Sequence, residues 1–312
     1  MPGTSATPVE QLRDNAKRLE AALSVGLAKP TPKAVHELRS STRRVEAQID
    51  LLGMVHGLPA WKAPAEKVLR RLAILRRKAG RVRDCDVQDK LLKDEEHELT
   101  AAPEAPPDLG KARDKLRKQI AKSRAQCERK LLAEIDRQLP KLARDTEELL
   151  AALKEGKDRE FPAATLLAEI ERRLEPVLMA RQGGEEHLHD LRKAAKRARY
   201  QCESLPGPEA AAMARRFESL QDAGGSWHDL LDLATTCHGK FGAEHPLSRV
   251  IEHRRDEHLD NYLANLEEFR SRGTHHVRPA ARQHPARANG KAPHSAPSKR
   301  SAGHGRKRRV GR

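Results

Sequence analysis

Apolar residues recur at helical spacing along most of the chain, and the runs are cut by Pro and Gly. The pattern predicts helices over residues 8–28, 32–53, 61–79 and 84–99, followed by a Pro-rich break at 101–109. A long helix over 111–139 and a shorter one over 141–154 come next, divided at Pro140, whose ring and missing N–H disfavour a helix interior. The second half reads as helices over 161–181, 185–204, 208–223, 227–238 and 243–272. β-Formers are scarce while Ala, Leu, Glu, Arg and Lys recur, so the expected fold class is all-α.

The same pattern occurs twice. Val35-His36-Glu37-Leu38-Arg39 is answered by Leu188-His189-Asp190-Leu191-Arg192, an offset of 153, and Arg43-Arg44 then opposes Lys196-Arg197. The apolar row Val35, Leu38, Val45, Ile49 and Leu52 faces Leu188, Leu191, Ala198, Cys202 and Leu205. A fainter match at an offset of 145 sets Leu75, Gly80, Arg83 and Asp84 against Leu220, Gly225, His228 and Asp229. Two blocks in the same order imply a duplicated helical unit. The expectation is two similar antiparallel helical bundles, about 8–155 and 161–272, related by an approximate two-fold axis.

Helix geometry turns the repeat into a surface. At 3.6 residues per turn, His36, Arg39 and Arg43 fall on a stripe about 60° wide, on a different side from the apolar row. His189, Arg192 and Lys196 reproduce it. A single stripe of this kind is most simply a solvated face carrying ion pairs one turn apart. Surface charge without a ligand has no physical reason to keep one phase in both halves, and two stripes brought together would line one basic channel.

Charge sharpens the picture. The chain carries 61 Lys and Arg against 45 Asp and Glu, a formal charge of +16. Residues 273–312 hold 11 of the basic side chains and no acidic one, so residues 1–272 carry only +5 and a basic site there must be a local arrangement. The tail has almost nothing apolar to bury and is expected to be disordered. Four cysteines lack metal-ligand spacing, and each falls in a helical stretch, where a small buried thiol is the plain reading. No run approaches the roughly 18 apolar residues of a membrane span, and no apolar signal core opens the chain, so the cytoplasm is the default location.

The motifs His36-x-Leu38-Arg39-x-x-x-Arg43-Arg44 and His189-x-Leu191-Arg192-x-x-x-Lys196-Arg197-x-Arg199-Tyr200 resemble the two signature helices of the CHAD family, the conserved histidine α-helical domains. Arg83-Asp84-x-Asp86-Val87 is similar to that family's arginine-aspartate turn into the next helix. The resemblance spans about residues 8–272. It implies two helical bundles with a basic groove or pore that binds inorganic polyphosphate, and a place on cytoplasmic polyphosphate granules in a bacterium. By position, the anion-contacting role falls on His36, Arg39, Arg43, Arg44, His189, Arg192, Lys193, Lys196 and Arg197. Arg70, Arg71, Arg76, Arg77, Arg83, Arg215 and Arg216 would complete the lining. In the second half His228-Asp229, preceded by Gly224-Gly225-Ser226, replaces the arginine-aspartate turn, so His228 stands where the family's arginine would.

Repeated cations suit polyphosphate, which has one charge per phosphate and neither base nor sugar. The histidines could serve as neutral N–H donors, as cations once a polyanion raises their pKa, or as packing groups. Nucleic acid is the rival ligand. Trp61, Tyr200, Phe217, Trp227 and Tyr262 are separated in sequence and form no stacking ladder, although the tail also suits non-specific contact with DNA or any polyanion. Some CHAD domains are fused to a triphosphatase marked by alternating Glu-x-Glu-x-Lys on a strand. The nearest string, Glu169-Ile170-Glu171, lies in a helical run where its carboxylates diverge. His253 and His258 point about 140° apart on a helix and make a poor metal pair. The expectation is therefore no catalytic residue, no metal and no cofactor.

Overall fold

The computed structural model describes residues 7–55, 57–58, 60–94, 108–156, 162–180 and 184–271. They form eight α-helices and one short 3-10 turn, with no strand among the described residues. The helices are α1 (Pro8–Ala28), α2 (Pro32–Leu52), α3 (Lys62–Asp94), α4 (Leu109–Ala152), α5 (Ala163–Met179), α6 (Glu185–Glu203), α7 (Pro208–Phe241) and α8 (Pro246–Ser271). The basic tail and the Pro-rich break at 101–107 lie outside the described residues.

Local chemistry starts the first two helices. Thr7 and Glu10 form a reciprocal capping box, Glu10 N–H donating to Thr7 Oγ1 at 3.3 Å and Thr7 N–H to Glu10 Oε2 at 2.8 Å. Thr31 caps α2 by accepting from the Ala34 N–H at 3.2 Å, and Pro8 and Pro32 occupy first-turn positions that need no N–H.

Three expected breaks are absent, and each has a tertiary cause. Helix α3 runs through Gly80 and the Arg83-Asp84 pair, so the anticipated turn is a helix interior. A Cβ on Gly80 would lie 2.9 Å from Arg39 Nη1, so the glycine lets a guanidinium cross the helix surface. Helix α7 runs through Gly224-Gly225-Ser226, where a Cβ on Gly224 would lie 2.7 Å from Cζ of the Tyr262 ring. Helix α4 continues past Pro140 for 44 residues in all, about 66 Å. Arg71 of α3 straddles that proline. It donates from Nη1 to Gln138 Oε1 at 3.0 Å and from Nε to the fully buried Asp145. Burial pushes Asp145 up, yet Arg71 and then Arg144 outweigh it and hold the carboxyl below its ordinary value.

Helices α1 to α4 pack as neighbours in one group, as do α5 to α8 in another. Between the two groups, α2 meets α6, α3 meets α7 and α4 meets α8, so three of the four helices of each group touch their counterparts. Both copies of the apolar row are buried, from Val35 to Leu52 and from Leu188 to Leu205. One contiguous core runs from Val9 to Phe269, and a smaller one joins Leu116 and Ile120 of α4 to Leu233, Leu247 and Ile251 of α7 and α8. Four aromatics pair within the core: Trp227 stacks on Tyr262 at 5.9 Å, and Phe217 on Phe269 at 5.4 Å. Burial pushes the Cys202 and Cys237 thiols up to about 12, so neither offers a thiolate. No described helix is long and apolar enough to cross a membrane.

Candidate functional site

Packing of α2 on α6 turns the two sequence stripes toward one another. Arg39 and Arg43 from α2, Arg76, Arg77, Arg81 and Asp84 from α3, Arg192 from α6, and His228, Asp229 and Asp232 from α7 line a cleft of about 450 Å³. Lys196 of α6 belongs to the same cluster, since Arg43, Arg39 and Arg192 act on its ammonium. Arg83 and Lys196 both act on His36.

The cations are desolvated and repel one another. Burial, followed by Arg43, Arg39 and Arg192, brings Lys196 down to about 7 against the weaker opposing pull of Asp229. Burial, then Arg43 and Arg39, brings Arg76 down to about 10. Burial also lowers Arg39, Arg43 and Arg192. The Nε atoms of Arg43 and Arg192 are buried without a hydrogen-bond partner. Unused donors beside mutually repelling cations form an acceptor-poor site that a polyvalent anion would complete.

Three carboxylates moderate it. Asp84 lies 3.6 Å from Arg39, and Asp229 is the strongest carboxylate influence on Arg192. These two pairs are repeat equivalents. Burial holds Asp84, Asp229 and Asp232 above the ordinary carboxylate value, so their negative charge is itself disfavoured there.

The histidines are neutral near pH 7. Burial and then Arg83 lower His36, while burial and then Arg192 lower His189. The His189 and His228 rings sit 4.6 Å apart, and burial with Arg192 and His189 takes His228 down to about 3. His228 is thus an interior residue of α7 facing the cleft, with Nδ1 buried and unpartnered.

Other sequence candidates stand elsewhere. Arg44 lies over the Tyr200 ring at 5.5 Å, with Glu37 and Glu203 each 3.8 Å away, in a separate depression. Arg197 pairs with Asp50 at 3.3 Å and Lys193 with Asp190 at 2.6 Å, on another face between α5 and α6. Arg71 is taken by Asp145, and Arg70 by Glu66 at 3.9 Å. Arg216 packs over Phe269 at 4.7 Å, and Arg215 is exposed beside it, roughly 20 Å up α7 from His228. Arg76 reaches the cleft but also pairs with Glu46. Sequence reasoning overlooked Asp84, Asp229, Asp232 and Arg81 as lining groups. The fainter repeat had marked Asp84 and Asp229, and Asp232 follows one helical turn later.

Among the described residues, no group of three His, Cys, Asp or Glu side chains is arranged to hold a metal. Glu169 is tied to Arg172 at 2.7 Å and to Arg173 at 2.6 Å on α5.

Fold and site together define an all-helical, internally duplicated protein with a half-buried cationic cleft at its seam. The chain belongs to the CHAD domain family, whose model matches residues 9–238. Two solved structures share the fold. PptA from Streptomyces chartreusis is similar with a TM-score of 0.61 at 15% identity, covering 85% of this chain and 99% of that one. The CHAD domain from the plant Ricinus communis is similar with a TM-score of 0.56 at 19% identity, covering 88% and 94%. No curated protein matches the sequence.

Proposed function

We propose that the seam cleft binds inorganic polyphosphate without turning it over, and that this binding places the protein on cytoplasmic polyphosphate granules. The observation that carries the reading is the cluster of Arg39, Arg43, Arg192 and Lys196. It is contributed equally by the two repeat helices, desolvated, and richer in donors than in acceptors. A linear phosphate chain supplies what the cluster lacks: closely spaced anionic oxygens able to engage several guanidinium groups at once. His36, His189 and His228 serve as neutral donors at its edge. CHAD membership supports the same ligand. Core burial of Trp227, Tyr262 and Phe217 leaves no aromatic platform at the cleft for bases, which favours phosphate over single-stranded nucleic acid.

The test is direct binding of the purified protein to long polyphosphate and to DNA of equal total charge across a salt series. Polyphosphate should bind more tightly at every salt concentration, and equal or stronger binding of DNA would overturn the reading. Replacing Arg39, Arg43, Arg192 and Lys196 together by Ala should cost several decades of affinity, at about 1.5–3 kcal/mol for each charged contact. Replacing Arg306, Lys307, Arg308 and Arg309 by Ala removes equal charge from the tail and should weaken binding chiefly at low salt. Equal losses would reduce the protein to a general polyanion binder acting through its tail.

A further inference from the structure

A second basic depression shares α3 with the seam cleft. It lies between α3, α4 and the start of α2, has a volume of about 1020 Å³, and is lined by seven Lys or Arg side chains against four Asp or Glu. Each acidic group has a basic partner, while Asp86 Oδ2 is buried without a hydrogen bond. Asp86 accepts from Arg124 Nε at 2.6 Å, Asp89 from Arg117 Nε at 2.9 Å, Asp114 from Arg113 at 3.1 Å, and Glu128 pairs with Arg124. Arg124 is held further by the Pro30 carbonyl at 2.8 Å. Lys29, Arg83, Lys90 and Lys118 have no carboxylate partner among the described residues, and the three lysines are exposed. Thr31 and Pro32 bring the positive end of the α2 dipole to the same depression.

Position gives this surplus a meaning. On α3, Arg76, Arg77, Gly80 and Asp84 face the seam cleft, while Asp86, Asp89, Lys90 and Lys93 face the depression. Arg83 stands between the two sets. It lines the depression, yet its charge acts on His36, Arg39 and Asp229. From Arg83 to Lys90 is nearly two turns of α3, about 10 Å. An anionic chain leaving the seam cleft past Arg83 would therefore enter a depression that also holds Lys29, Lys90 and Lys118.

We propose that the α3–α4 depression is a second subsite for the same anionic polymer, occupied only by chains long enough to pass Arg83, so that it sets a preference for long polyphosphate. The inference rests on the seam cleft being the primary polyphosphate site, and the experiment separates the two claims. Affinity for long-chain polyphosphate and for tripolyphosphate is measured at one salt concentration. The proteins are the wild type, the variant Lys29→Ala/Lys90→Ala/Lys118→Ala, and the seam variant Arg39→Ala/Arg43→Ala/Arg192→Ala/Lys196→Ala. The lysine variant should lose roughly tenfold toward the long chain, the scale of three exposed charge contacts, with tripolyphosphate affinity unchanged. Its salt slope for the long chain should also become shallower, since fewer counterions are released. Unchanged long-chain affinity, or equal loss toward both ligands, overturns the subsite. A seam variant that keeps its affinity for both ligands overturns the primary site and the subsite with it. The three lysines are exposed, so a melting temperature equal to wild type is the expected control.

Discussion

At the scale of single residues, three glycines separate packing from positioning. Gly80 lies beneath Arg39 Nη1, Gly224 lies beneath the Tyr262 ring, and a Cβ on Gly225 would meet nothing within 4 Å. Gly225→Ala should therefore stabilise α7 by about 0.5–1 kcal/mol through backbone entropy and leave anion affinity unchanged. Gly224→Ala forces a methyl group against a buried ring whose hydroxyl donates to the Leu188 carbonyl at 3.2 Å, and should cost about 1–3 kcal/mol. Gly80→Ala meets only the far end of a flexible side chain, so thermal stability should hold or rise while polyanion affinity falls. Thermal melts and binding isotherms on the three proteins check all of this. Lys196 supplies a pH signature. Its pKa in the fold, about 7, lies below the ordinary 10.5, so the unfolded chain binds more protons between those values and stability of the free protein rises with pH across that window. A bound polyanion restores the charge, so binding near pH 8 should take up protons and weaken as pH climbs. Calorimetry in buffers of differing ionisation enthalpy should detect that uptake in the wild type and find it diminished in Lys196→Arg, which stays charged throughout.

At the scale of elements, Arg71 across Pro140 explains a helix that local rules would divide. Arg71→Ala leaves the fully buried Asp145 with only Arg144 at 3.4 Å, and should cost about 3–5 kcal/mol in chemical denaturation. This element also marks how far the sequence could be read. Apolar periodicity found the helices, and Pro and Gly punctuation located their starts, because both signals are local. The buried faces of α2 and α6 followed from the same periodicity. Gly80, Pro140 and Gly224 were legible as helix breakers but not as sites where Arg39, Arg71 and Tyr262 press on or clamp a helix, since those partners lie 41, 69 and 38 positions away along the chain. The stripe of Arg39, Arg43, Arg192 and Lys196 was legible because it repeats in phase. Arg44, Arg197 and Lys193 sit one position from stripe residues, and 100° of rotation carries them to other faces. Glu203 beside Arg44 and Asp50 beside Arg197 come from the other half of the chain, beyond the reach of local pattern.

At the scale of the whole molecule, the counterpart pairing of α2 with α6 and α3 with α7 means that neither half owns the seam cleft. Arg39→Ala/Arg43→Ala and Arg192→Ala/Lys196→Ala should therefore weaken polyphosphate binding to similar extents. The fourfold variant should lose less than the sum of the two, because the four groups act on one segment of ligand. Binding isotherms of the three variants test this, and strict additivity would point to independent sites. Ligand should also raise the melting temperature in proportion to the logarithm of its concentration, because only the folded seam gathers these cations.

Carrying both repeats in one polypeptide has a consequence for what the cleft can become. Were the cleft formed by two identical subunits, every substitution would appear on both walls at once, and the site would stay two-fold symmetric. Here Arg39 crosses Gly80 while the equivalent Gly225 lies open, and the second half carries His228 where the first carries Arg83. A phosphate chain reads the same from either end, but the protein that receives it has a front and a back. Covalent linkage lets each wall change alone, so a symmetric polymer held in the cleft as proposed would meet different side chains at its two ends.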